Sequence, residues 1–159
     1  MKNRILITAT IILSILFFSA CKSGKEHIIG DFKDSKIAFD ETVALLKRVY
    51  FTNPAYNGRN RLIFKSCTNK KFVPSSMCDQ ELTDGLFYEG NVDEIIAEGK
   101  TCNLSSPFDL ISFRLKQRHY KDAFIIFDCC GNMSETSTQT FEYIKIEEDW
   151  YLYIDNSFP

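Results

Sequence analysis

Residues 141–155 read FEYIKIEEDWYLYID, and they restrict the fold more than any other stretch of the chain. Apolar and polar side chains alternate on both sides of Glu148-Asp149, a link too short for anything but a tight reversal. Alternation of period two, rich in aromatic and β-branched residues, is the mark of strands, and a two-residue link makes such neighbours antiparallel. Strands are therefore expected over 140–147 and 150–155. In the second, Trp150, Leu152 and Ile154 share one face while Tyr151, Tyr153 and Asp155 share the other. A lone hairpin is marginal in water, so the rest of the chain must supply further strands and a cover for one face.

The supply is visible upstream. The run AFIIF at 123–127, inside YKDAFIIFDCC and followed by Gly131-Asn132, reads as a buried strand. Residues 108–116 alternate, with Asp109, Ile111, Phe113 and Leu115 on one face and Phe108, Leu110, Ser112 and Arg114 on the other. With the terminal hairpin these segments suggest an antiparallel meander of three strands, extended to four. A shorter strand is expected over 61–67, after the turn-rich stretch NPAYNGRN. The clearest helix is SKIAFDETVALLKRVYF, 35–51, where Phe39, Val43, Leu46 and Tyr50 recur at helical spacing and Lys36, Asp40, Glu41, Lys47 and Arg48 take the opposite side. NVDEIIAEGKTC reads as a two-turn helix capped by Asn91 and closed near Gly99. The stretch 68–90 fits a loop, a hairpin or a short helix. The expected class is α+β, an N-terminal amphipathic helix packed on a curved antiparallel sheet of four or more strands.

This element order, together with an apolar strand, an acidic turn, a tryptophan and a second apolar strand over Phe141 to Asp155, resembles the NTF2-like, cystatin-like class of small exported domains. The resemblance implies a helix in the concave side of a strongly curved sheet. It also implies a cone-shaped cavity between them, which members use for small ligands, for catalysis or for packing alone.

The N-terminus carries a second signal. Lys2 and Arg4 precede an apolar run from Ile5 to Phe18, and small Ser19 and Ala20 stand directly before Cys21. The run is short for a membrane span, which needs about 20 apolar residues, and the order of positive, apolar and small is that of a secretory signal. Phe18-Ser19-Ala20-Cys21 resembles the lipobox of bacterial lipoproteins, with Phe18 standing where leucine is usual. The resemblance implies that the Cys21 sulfur is acylated and that residues 1–20 are removed. It places the protein outside the cytoplasm, lipid-anchored in the cell envelope, in the outer membrane if the cell has one. Each buried CH₂ contributes about 0.8 kcal/mol, and two chains already anchor stably. Residues 21–34, with charge and two glycines, then read as a tether, and 35–159 as a single domain.

Of 19 basic residues two, Lys2 and Arg4, leave with the leader, so 17 remain against 21 acidic ones. That mild balance argues against nucleic acid as a partner. Five cysteines follow Cys21: Cys67, Cys78, Cys102, Cys129 and Cys130. In an exported chain they read as disulfide material rather than as a zinc site, since no C-x-x-C and no cysteine–histidine cluster is present. The preferred pairing joins Cys67 to Cys78, and Cys102 to either Cys129 or Cys130, leaving one thiol over.

Catalytic material is sparse. His27 falls in the tether and His119 at a strand boundary; Asp93-Glu94, Glu147-Glu148-Asp149 and Asp79 with Glu81 sit where helix starts and turns attract acids. No phosphate loop, nucleophile elbow or zinc-protease motif occurs. No catalytic residue, metal or cofactor is assigned. The candidate pocket or interface is aromatic: Phe141, Tyr143, Tyr151 and Tyr153. The expected function is a non-catalytic binding module of the envelope, its partner a small ligand or an envelope protein. An NTF2-like enzyme or ligand-pocket protein and an immunity or inhibitor lipoprotein are the alternatives.

Overall fold

A computed structural model describes residues 24–53, 55, 61–66, 76–78, 86–89, 91–98, 110–116, 120–131 and 133–157. Helix α1 spans Gly24–Asp34 and α2 spans Lys36–Leu45, separated by a break at Ser35, and six π-helical residues, Leu46–Phe51, continue α2. α1 occupies the stretch that reads as a tether. Ile28, Ile29 and Phe32 give it an apolar stripe, Glu26 and Lys33 suit its dipole, and Phe32 is 2 % exposed. A segment that buries a phenylalanine this completely belongs to the domain. In the π-helical turn the wider spacing lets Leu46 and Phe51, five residues apart, both be buried.

Among the described residues eight strands form one sheet in the order β2-β1-β3-β4-β5-β8-β7-β6, antiparallel except for the short parallel pair β1–β2. They are β1 Arg61–Lys65, β2 Ser76–Met77, β3 Val92–Glu98, β4 Leu110–Leu115, β5 Asp122–Asp128, β6 Thr136–Ser137, β7 Phe141–Glu147 and β8 Trp150–Asp155. A single helical turn, α3 at Leu86–Glu89, precedes β3. The fold is α+β and mostly sheet.

Two sequence expectations change. NVDEIIAE is strand β3, not helix: Ile95 and Ala97 are fully buried and Ile96 nearly so, because β1 and β4 pair with it on both edges and apolar residues are wanted on both faces. Asn91 does not cap a helix; it takes φ +53 and its side-chain amide donates to Lys116 O at 2.9 Å, fixing the entry to the strand. The meander is also reordered. β8, not β7, lies beside β5, with Ile125 opposite Leu152 and Phe127 opposite Trp150. Trp150, Leu152 and Ile154 are at most 2 % exposed, whereas every residue of β7 is half-buried or exposed, so the more apolar strand takes the inner place.

The core is ringed by aromatics. Trp150 lies 5.1 Å from Phe32, 5.8 Å from Phe39, 5.9 Å from Phe113 and 5.0 Å from Phe127 between ring centres, joining helix residues to β4 and β5. Each such pair contributes about 0.5–1.5 kcal/mol beyond its buried area.

Candidate interaction surface

Strand registry fixes which side chains face away from that core. Lys65, Glu94, Arg114, Phe124, Tyr153, Tyr143 and Thr136 stand opposite one another in turn across seven strands. Lys65 and Glu94 pair at 3.1 Å, and Arg114 is bound to Asp122. The aromatic stretch of the row is a cluster: Tyr143 and Tyr153 are 4.8 Å apart, Phe124 lies 5.9 Å from Tyr153, and Phe141 lies 5.9 and 6.2 Å from Tyr143 and Tyr153. All four rings are half-buried. They share each other's cover and keep part of their area in solvent.

The four residues proposed from sequence therefore separate. Phe141, Tyr143 and Tyr153 come together, and Phe124 of β5 joins them. The signal for Phe124 was the alternation of DAFIIFD, which puts Phe124, Ile126 and Asp128 on one face, but only the β5–β8 pairing reveals that this face adjoins the tyrosines. Tyr151 has a different task. It is 4 % exposed and its hydroxyl donates to Met133 O at 2.8 Å. Asp128, 2 % exposed, accepts from the backbone N–H of Cys130 at 2.9 Å and of Met133 at 2.6 Å. Together they hold the segment after β5, and a buried carboxylate is satisfied there by backbone donors.

The electrostatics of the cluster favour neutral phenols. Burial raises the Tyr143 hydroxyl above the usual phenol range; burial, then the negative charges of Asp155 and Asp122 and the neighbouring Tyr143, raise Tyr153. At neutral pH both are hydrogen-bond donors rather than bases. Asp155 is lowered by hydrogen bonds from the Ser157 hydroxyl and backbone N–H, and Lys121 stands 3.9 Å from it. β7 carries an edge N–H, Lys145, that donates to the Glu135 carboxylate at 3.0 Å, a side chain occupying the place another strand would take.

A small cavity lies between the described helices and the sheet. Its volume is about 40 Å³, and it is lined by Ile28, Phe32, Phe39, Leu115 and Ile125, with Asp31 and Asn91 as its polar members. Ligand pockets run to about 300–1,000 Å³, and one water takes roughly 30 Å³ of liquid, so this cavity has the size of a water site. Two of the acids singled out earlier have ordinary partners: Glu94 pairs with Lys65, and Glu147 lies 3.2 Å from Lys36. His27 is on exposed α1, 3.4 Å from Asp31. His119, Asp79 and Glu81 lie outside the described residues, as do Cys21, Cys67 and Cys102. Cys78 and Cys130 are disulfide-bonded, and Cys129 is half-buried against the core. Among the described residues no group of three His, Cys, Asp or Glu side chains is placed to hold a metal, and no helix is long and apolar enough to cross a membrane.

Comparison of the chain with protein-family models, with curated proteins and with solved structures returns no match.

Proposed function

We propose that the chain is an exported lipoprotein, anchored through acylated Cys21, whose domain is a non-catalytic binding module with the Phe124, Phe141, Tyr143 and Tyr153 face as its contact surface. In this reading α1 and α2 sit in the concave side of a curved sheet. The observation that carries it is the contrast between the two sides of the sheet. Among the described residues the helix side holds a cavity of about 40 Å³, while the other side presents four half-buried rings in one cluster. A small-ligand pocket protein or an enzyme of the NTF2-like kind needs space and converging acid and base groups on the helix side, and the polar side chains lining that cavity are one aspartate and one asparagine. An immunity or inhibitor lipoprotein is the special case in which the partner is an exported toxin or enzyme.

Two experiments test the two halves of the proposal. Metabolic palmitate labelling and globomycin-sensitive processing are expected in the natural chain and are lost in Cys21→Ala; unlabelled natural protein contradicts the anchor. Substitution of Tyr143 and Tyr153 by serine is expected to abolish partner binding with far-UV circular dichroism unchanged; undiminished binding contradicts the assigned surface.

A further inference from the structure

We infer that the Phe141, Tyr143 and Tyr153 patch lies against the lipid–water interface of the membrane that holds the protein, so that the bilayer is the first partner of this face. The inference rests on acylation of Cys21, as proposed above. Its new element is geometric and begins with α1. Because α1 already includes Gly24, only Lys22 and Ser23 stand between Cys21 and the folded domain, and the three steps from Cys21 to Gly24 reach at most about 10 Å. The domain cannot stand off the bilayer on so short a lead.

The start of α1 is also fixed in position. Gly24 packs so closely on Tyr120 that a Cβ there would meet the phenol oxygen at 2.9 Å, and the Lys25 ammonium bridges Glu142 at 2.6 Å. Tyr120 stands two residues before β5 and Glu142 is the second residue of β7, so the anchor leaves the domain at the end of the sheet where β5 and β7 begin and β8 finishes. Phe141 opens β7 at that end. Tyr143 and Tyr153 lie one side-chain repeat further in, about 7 Å along their strands. The patch thus lies within about 7 Å of the end of the sheet that the lipid must draw toward the membrane, on the face opposite α1.

Its chemistry suits that place. Tyrosine puts an apolar ring and a hydroxyl at the boundary between acyl chains and headgroups, and aromatic residues concentrate there. Among the described residues three ion pairs stand at this end: Lys25 with Glu142, Lys121 with Asp155 and Arg114 with Asp122. No lone charge of these pairs has to lose its water on contact. Trp150, five residues from Asp155 along β8, lies about 17 Å deeper and faces the core.

That distance supplies the test. Full-length acylated protein is reconstituted into phosphatidylethanolamine/phosphatidylglycerol vesicles containing a lipid with a nitroxide high on its acyl chain, and tryptophan emission is compared for the natural chain and for Tyr143→Trp and Tyr153→Trp, each retaining Trp150. The expected result is a blue shift and a several-fold larger quenched fraction in both variants than in the natural chain, whose buried Trp150 is out of reach. Equal quenching in all three proteins, each vesicle-bound and carrying the diacylglycerol mass on Cys21, overturns the membrane contact and leaves the face to a protein partner. Natural protein that neither carries that mass nor floats with the vesicles overturns the anchor reading and this inference together. Two variants guard against a single substitution that disturbs the fold.

Discussion

Trp150 and Tyr153, on opposite faces of β8, carry comparably large rings and end in opposite conditions, the first 2 % exposed and the second half-buried. On the first face Trp150 is closed off by rings from α1, α2 and β4, with Leu152 and Ile154 fully buried beside it, whereas on the second Tyr153 is covered chiefly by Tyr143, Phe141 and Phe124 of its own sheet. The first face gains from helix–sheet burial and carries the fold. The second gains only the smaller cross-strand term, about 0.2–1 kcal/mol per pair, and keeps area for something else to cover. Size and aromaticity do not distinguish a core from a contact surface; what is packed across from them does.

The sharpest way to break this contrast is Trp150→Ala. Removing the ring that meets Phe32, Phe39, Phe113 and Phe127 is expected to cost about 3–5 kcal/mol, read as a lowered midpoint in urea denaturation. On the other face Tyr153→Ala is expected to cost about 1 kcal/mol or less, because its neighbours pair across strands and none of the described helices packs on them. Equal losses at the two positions contradict the division. Tyr151→Phe separates the third role: it removes only the bond to Met133 O, about 0.5–1.5 kcal/mol, and is expected to speed amide exchange around Cys130 and Met133 while leaving the strands protected.

The smallest effects are those of pH. Tyr143 and Tyr153 ionise later in the folded than in the unfolded chain, so the folded state holds those protons more tightly and stability falls as pH climbs past about 10. Lys36 adds the same sign. Burial draws its ammonium down, but hydrogen bonds and charge from Asp40 and Glu147 outweigh this and raise it, giving stability that is present at neutral pH and lost at high pH. Asp155 acts at the other limit: its carboxyl is lowered from 3.8, so its contribution is present above that value and lost as pH falls through the folded one. A tyrosine absorbance titration that shows every phenol ionising at the ordinary value contradicts the alkaline part.

What could be read from the sequence was what local pattern decides. The β7–β8 hairpin, β5, β4, β1 and the α2 stripe all follow from periodicity, and so does the division of β8 into a Trp150 face and a Tyr153 face. Two segments were misread because distant partners decide them. In α1 the stripe of Ile28, Ile29 and Phe32 is interrupted by Gly30, which costs about 1 kcal/mol against alanine, and only burial of Phe32 against Phe39 and Trp150 offsets that. In β3 the pair Ile95-Ile96 suits a short buried helix as well as a strand wanted apolar on both sides. The site was half legible for the same reason: Tyr143 and Tyr153 follow from alternation within the hairpin, while Phe124 needs the knowledge that β5 lies beside β8.

Trp150, the chain's single tryptophan, touches Phe32 and Phe39, both of which line the small cavity, and so reports on the helix side of the sheet. Titration of the purified protein with a fluorescent apolar probe, followed by quenching of Trp150, tests the central claim that this side is filled and the opposite one is the working surface. The account predicts no saturable change at Trp150. Saturable one-to-one quenching contradicts it and returns the protein to the ligand-pocket reading.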